Sequence, residues 1–152
     1  SGNIGISEVA RAAPDGYTLV IGAAQTLTIN HQIFKNAPVN PQRDLAPIAV
    51  IASVPNVLIV TNKLPAKNIN ELIAFAKKNP GKLSSGSSSV GGTPHLSLEL
   101  FKSQTGTFIV HIPYRGSAPS LQDLVGGQID MMFDNLPAAL PLINAGQVRA
   151  LE

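Results

Sequence analysis

From residue 68 to the end, apolar positions switch between a helical and a strand period. Ile69, Leu72, Ile73 and Ala76 share one helical face, opened by Asn68 or Asn70 and stopped by Asn79-Pro80-Gly81. Lys82–Ser88 then predicts a strand of weak intrinsic preference, and Thr93–Thr105 a helix. Phe108–Tyr114 predicts a strand, Ser117–Val125 a helix closed by Gly126-Gly127, and Ile129–Asp134 another strand. A helix near Ala138–Ala145 and a strand at Val148–Leu151 complete the series. Pro141 fits that helix only in its first turn, where a missing N–H costs nothing. Strand and helix alternating at this spacing mean βαβ units, an α/β fold and a mostly parallel sheet.

The first part of the chain is less regular. Asn3 is placed to cap a short helix with Ile6, Val9, Ala10 and Ala13 on one face. Pro14-Asp15-Gly16 predicts a turn, and Tyr17–Gly22 a strand. A polar loop, Ala23–Thr28, leads to a short helix around Asn30–Phe34 and a proline-rich connection, Asn36–Asp44. Two apolar runs follow, Ile48–Ser53 and Asn56–Thr61, split by Val54-Pro55, because proline disfavours one continuous central strand.

Composition narrows the partners. The chain has 152 residues, 44% apolar and 13% charged, which excludes disorder by composition. Its net charge is only +2, and the sole adjacent basic pair, Lys77-Lys78, sits where a helix C-terminus favours it, so no nucleic-acid partner is expected. There is no cysteine for disulfides, thiol catalysis or metal binding. The longest nearly apolar stretch, Leu45–Val60, is shorter than the roughly 20 residues of a membrane helix and holds Pro47, Pro55 and Asn56. No signal peptide is visible, and the opening Ser1-Gly2 without Met reads as the interior of a longer protein.

Chemistry concentrates in four loops that follow strands. The first, Ser84–Thr93, is a run of small residues ahead of a helix whose Thr93 is placed as cap and Pro94 as first helical residue. Gly91 and Gly92 let backbone approach a ligand, and the N–H groups of Gly91, Gly92 and Thr93 at a helix N-terminus suit an anion such as a carboxylate. Ser88, Ser89 and His95 flank them. A phosphate-binding Walker loop is excluded, because Gly92 stands where its lysine belongs; a nucleophile elbow fails because Val90 replaces the last glycine. The second loop brings Tyr114, Arg115 and Gly116, with Ser117 as cap; the third ends a strand with Asp134 and Asn135; the fourth holds Gln25, Thr26 and Thr28. Parallel strands would put all four at one end of the sheet. His31, His95 and His111 show no metal-ligand spacing, and no cofactor motif occurs. The competing reading is an α/β hydrolase or transferase using Ser88 or Ser89 with His95 and Asp134.

Taken together, "AAPDGYTLVIG", "VGGTPHLSLELF" and "HIPYRGSAPSLQDLVGGQIDMMFDNLPAALPLINAGQVRAL" resemble the Bug family, the solute receptors of tripartite tricarboxylate transporters. The resemblance runs over nearly the whole chain. It implies a non-enzymatic periplasmic receptor of the type II periplasmic binding protein fold, with two α/β lobes and a carboxylate held in a cleft between them by backbone amides, hydroxyls and water. It further implies delivery of the ligand to membrane transporter subunits. Members of that family are longer, and their first strand with its glycine-containing loop has no counterpart here. The expected division is therefore a partial first lobe, 1–59, and a second lobe, 60–152, with an exposed edge on the truncated lobe open to self-association. Arg115 lies where the family often has Lys.

Overall fold

The computed structural model describes residues 2–152. The chain divides into two compact units, one ending at Ala52 and one running Ser53–Glu152. The boundary lies ahead of the strand Asn56–Thr61, where a division at residue 59 would cut it.

The first unit is helical. Helix α1 (Asn3–Arg11) takes Gly2 as its cap, with φ 65°. Asn3 is not the cap because its side-chain oxygen accepts from Asn30 Nδ2 at 2.7 Å, tying α1 to α2 (Asn30–Ile33). The predicted polar loop is instead a π-helical segment, Gln25–Ile29, running straight into α2. Leu27 and Gln25 are good helix formers, and Thr28 Oγ1 donates back to Ala24 O at 2.7 Å. Within the proline-rich connection lies a single turn, α3 (Pro41–Asp44), where the Asn40 side chain accepts from Gln42 N and Pro41 presets the first φ. Neither Tyr17–Gly22 nor Ile48–Ser53 forms a strand. A strand exists only against a neighbour that takes its N–H and C=O groups. No such neighbour lies beside these runs among the described residues, and Tyr17 is left 91% exposed.

The second unit holds β1 (Asn56–Thr61), α4 (Ile69–Lys78), β2 (Ser84–Ser87), α5 (Thr93–Thr105), β3 (Val110–Pro113), α6 (Ser117–Gly126), β4 (Met131–Asn135), α7 (Leu136–Asn144) and β5 (Val148–Ala150). The strands form one sheet in the order β3-β2-β4-β1-β5. β2 runs parallel to β3 and β4, as predicted, but β1 is antiparallel to both β4 and β5. The chain leaves β1 and enters β2 at the same end of the sheet: Thr61 N bonds Asp130 O at 3.0 Å and Ser84 N bonds Asp130 Oδ2 at 2.8 Å. Alternation in sequence fixes the order of elements, not the sense in which each strand is laid down.

Both sheet faces are covered. Val60 and Met131 pack with Leu72 of α4 and Leu98 of α5 on one side; Ile59 and Met132 pack with Leu121 and Leu124 of α6 and Ala139 of α7 on the other. That is the period-2 alternation of a sheet between helix layers. Helix α4 is opened by a reciprocal cap. Asn68 Oδ1 accepts from Glu71 N at 2.9 Å, and the Glu71 carboxylate accepts from Lys67 N at 2.8 Å and from Asn68 Nδ2 at 2.9 Å. Helix α7 starts at Leu136, so Pro137 occupies the first turn and Pro141 lies inside the helix. The bond lost at Pro141 is one that its position makes unavailable to the Pro137 carbonyl.

Candidate functional site

Because β2, β3 and β4 are parallel, their carboxyl ends share one end of the sheet, and α5, α6 and α7 begin there. The antiparallel β1 starts at that same end, with Asn56 opposite Asn135. Asn56 Nδ2 donates to Ser97 Oγ on α5 at 3.0 Å. Two of the loops are zipped together: Tyr114 N bonds Ser87 O at 2.8 Å and Gly116 N bonds Ser88 O at 3.0 Å. Gly116 adopts φ 117°, ψ 170°, a conformation open essentially to glycine alone.

The starts of α5 and α6 each differ from the predicted cap by one residue, while Asn135 occupies the cap position of α7. Gly92 and Gly116 occupy the cap positions of α5 and α6, so Thr93 and Ser117 are the first helical residues. Ser117 does not cap because its hydroxyl donates to Asp134 Oδ2 in a short hydrogen bond. The other oxygen of Asp134 accepts from Asn135 N at 2.8 Å, and the residue is 0% exposed. This buried carboxylate thus lies between the start of α6 and the start of α7, where two helix N-termini favour negative charge. Thr93 makes no side-chain cap and is exposed.

The β2–α5 loop is organised from within. Gly91, at φ 78°, donates its N–H to His95 Nδ1 at 3.0 Å, so this amide is not offered outward as the sequence suggested. Gly92 and Thr93 retain N–H groups with no acceptor inside the helix, the first such bond being Leu96 N to Gly92 O at 3.0 Å. The His95 ring stacks on His111 of β3, centroids 4.0 Å apart and planes at 17°. His111 Nε2 lies 2.6 Å from Ser87 Oγ. Burial holds the His111 imidazole below its ordinary pKa near 6.5, and its His95 neighbour adds to this. Tyr114 OH donates to Asp123 Oδ2 at 2.7 Å, and burial, with that bond, pushes its phenol up to about 12.

The second unit therefore brings Ser88, Gly91, Gly92, Thr93, His95, Tyr114, Arg115, Gly116 and Asp134 to one end of one sheet. Ser89 belongs to the same loop, and its carbonyl accepts from Ser87 Oγ at 3.1 Å. Tyr114 is turned onto α6, and Arg115 is exposed. Gln25, Thr26 and Thr28 lie in the first unit. There Gln25 and Thr26 line a pocket of about 300 Å³ with Gly2, Ile6 and Gly22, while the Thr28 hydroxyl is bonded to its own helix. Sequence reasoning passed over His111, the Ser117–Asp134 link and Asn56. His111 had a signal: opposite Ser85 in a parallel ladder, it points to the same face as Ser85 and Ser87, toward α5.

The hydrolase reading does not assemble. His95 Nδ1 accepts from Gly91 N and Nε2 turns toward Glu99 at 3.6 Å, and Asp134 serves Ser117 and Asn135 rather than an imidazole. Among the described residues no group of three or more His, Asp or Glu side chains is placed to hold a metal.

Helix N-termini gathered at the carboxyl ends of strands, in a mixed α/β sheet, define a fold built to bind small molecules. The chain belongs to the tripartite tricarboxylate transporter receptor family, whose description matches residues 1–152, and this is a family of receptors rather than enzymes. It is 36% identical to protein BugT of Bordetella pertussis over 99% of its own length and 46% of that protein's. Among solved structures it resembles Rpa4515 of R. palustris with adipate, at TM-score 0.91 and 45% identity, over 99% of this chain and 50% of that one. It also resembles MatC of Rhodopseudomonas palustris with bound malate, at TM-score 0.79 and 29% identity, over 98% and 51%. The chain thus spans about half the length of the relatives it matches.

Proposed function

We propose that this chain is the carboxylate-binding part of a periplasmic solute receptor that hands its ligand to a membrane transporter. The observation that carries the reading is the opening of α5, α6 and α7 at one end of the sheet, in a chain whose relatives include structures with adipate and malate. Asp134 is already the resident anion at the starts of α6 and α7. An incoming carboxylate is then directed to the start of α5, where Gly92 and Thr93 have N–H groups with no helical acceptor. Ser88, Ser89 and Arg115 border that point. Asp134 acts by positioning Ser117.

The test is a 15N-edited NMR titration of the chain with adipate, with malate and with the neutral diol 1,6-hexanediol. Saturable shifts at the Gly92 and Thr93 amides with a dicarboxylate, and none with the diol, are expected. Equal shifts with the diol, or dicarboxylate shifts confined to other residues, would overturn the assignment.

A further inference from the structure

We infer that His95 is a positioning residue that latches the Gly91–Gly92 loop through its Nδ1 lone pair, and that protonating His95 opens the latch. The inference rests on the proposed anion site only for its functional meaning; the latch itself is a property of the loop. Its basis is the Gly91 N–H donated to His95 Nδ1 at 3.0 Å. A backbone N–H can only donate, so Nδ1 must carry a lone pair and the ring proton must sit on Nε2. That nitrogen faces Glu99 Oε1 at 3.6 Å. Gly91 is buried, so its amide, deprived of its acceptor, has no water to replace it, and the loop must move with it.

The surroundings of His95 make it a sensitive latch. On its own helix, Glu99 favours an imidazolium, yet Lys102 Nζ already holds both Glu99 oxygens at 2.8 and 3.0 Å and offsets that charge. From β3, His111 stacks at 4.0 Å, so a second positive charge there opposes the first. From β2, Ser87 Oγ engages His111 Nε2 and donates to Ser89 O at 3.1 Å, which couples the imidazole pair to the next stretch of the same loop. His95 also lies in the first turn of α5, where the helix end disfavours a cation. When Nδ1 gains a proton it becomes a donor facing a donor, and the Gly91 bond is lost.

The chain is examined without ligand, so failure here is separate from failure of the carboxylate assignment. Imidazole 15N shifts at neutral pH should show His95 Nδ1 unprotonated. The protection factor of the Gly91 amide should fall about tenfold as the pH is lowered and Nδ1 gains its proton. His95→Gln supplies an acceptor that does not titrate, so its Gly91 protection should stay level over the same range, while His95→Phe should lose it at every pH. If a variant fails to fold, the wild-type titration still decides. A proton on Nδ1 at neutral pH, or Gly91 protection that does not change as Nδ1 gains its proton, overturns the latch.

Discussion

Replacing Gly86 by alanine tests how tightly α6 is seated against the sheet that carries the site. Gly86 lies in the middle of β2 and is buried on the α6 side. Its φ is outside the left-handed region, so an alanine meets no backbone strain there. In open space such a change would stabilise the chain by about 0.4–1 kcal/mol, because alanine has fewer unfolded conformations to lose. Here the new methyl would fall inside contact distance of Ser120 Oγ and 2.5 Å from Ile129 Cδ1. Overpacking of a close-packed interior costs about 1–3 kcal/mol, so the net expectation is a destabilisation of about 1–2 kcal/mol. The sign of the effect therefore separates the two cases. Ser120→Ala removes the nearest obstacle and loses only a weak contact to Met132 Sδ at 3.5 Å. In the double variant only the Ile129 side-chain end still has to give way, so the cost should fall without vanishing, with a coupling of about 1 kcal/mol. Urea unfolding followed by circular dichroism reads all four corners of the cycle. A neutral or stabilising Gly86→Ala, or a double variant that is simply additive, would show that α6 is seated more loosely than these distances require. Since Ser117 at the start of α6 holds Asp134, a shift of α6 should also move the Ser117 and Asn135 amide resonances.

Two further outcomes follow from single side chains. Asn68→Ala removes the cap of α4 and should cost about 1 kcal/mol in the same unfolding assay, and Asn68→Asp, which keeps the accepting oxygen, should restore most of it. Tyr114 has its phenol raised from 10.0 to about 12, first by burial and then by its bond to Asp123. Its contribution to stability is therefore fully present below pH 10 and is lost as the pH rises toward 12; ultraviolet difference titration should show this late ionisation, and Tyr114→Phe should abolish that spectral step.

The second unit was legible because its signals are local. The Asn68 or Asn70 cap, the Pro80-Gly81 stop, and Gly126-Gly127 after α6 are each read from a few neighbouring residues, and the elements they predict are present. The first unit was not, because a run such as Tyr17–Gly22 has strand-forming residues but takes its conformation from whatever backbone lies beside it. The antiparallel sense of β1 is likewise a property of the partner, not of "NVLIVT". At the site, the glycines and helix starts were readable, but the use of the Gly91 amide was not. That depends on His95, four residues on, being the acceptor across one helical turn, and a histidine there gives no sign of which ring nitrogen carries the proton. Asp134 looked like an outward contact because it ends a strand; burial and the Ser117 hydroxyl turn it into internal wiring.

The count of open donors sets how tightly the second unit can hold a carboxylate. With Asp134 serving the starts of α6 and α7 and His95 Nδ1 taking the Gly91 amide, the backbone donors without a helical acceptor at the start of α5 are Gly92, Thr93 and His95, of which the first two are assigned to the ligand. Two hydrogen bonds to a charged acceptor are worth about 1.5–3 kcal/mol each, and the helix end adds up to about 2 kcal/mol. The gross gain is then about 3–8 kcal/mol. Lost translation and rotation take back at least about 4 kcal/mol. What is left, at most about 4 kcal/mol, corresponds to a Kd near 1 mM or weaker. A micromolar Kd requires about 8 kcal/mol, so contacts beyond these two amides must supply the missing half. In the NMR titration with adipate, the Gly92 and Thr93 amides should therefore saturate only in the millimolar range. Saturation at micromolar adipate would mean that donors beyond Gly92 and Thr93 already converge on the ligand, and the division of the three helix starts between a resident and an incoming anion would have to be abandoned.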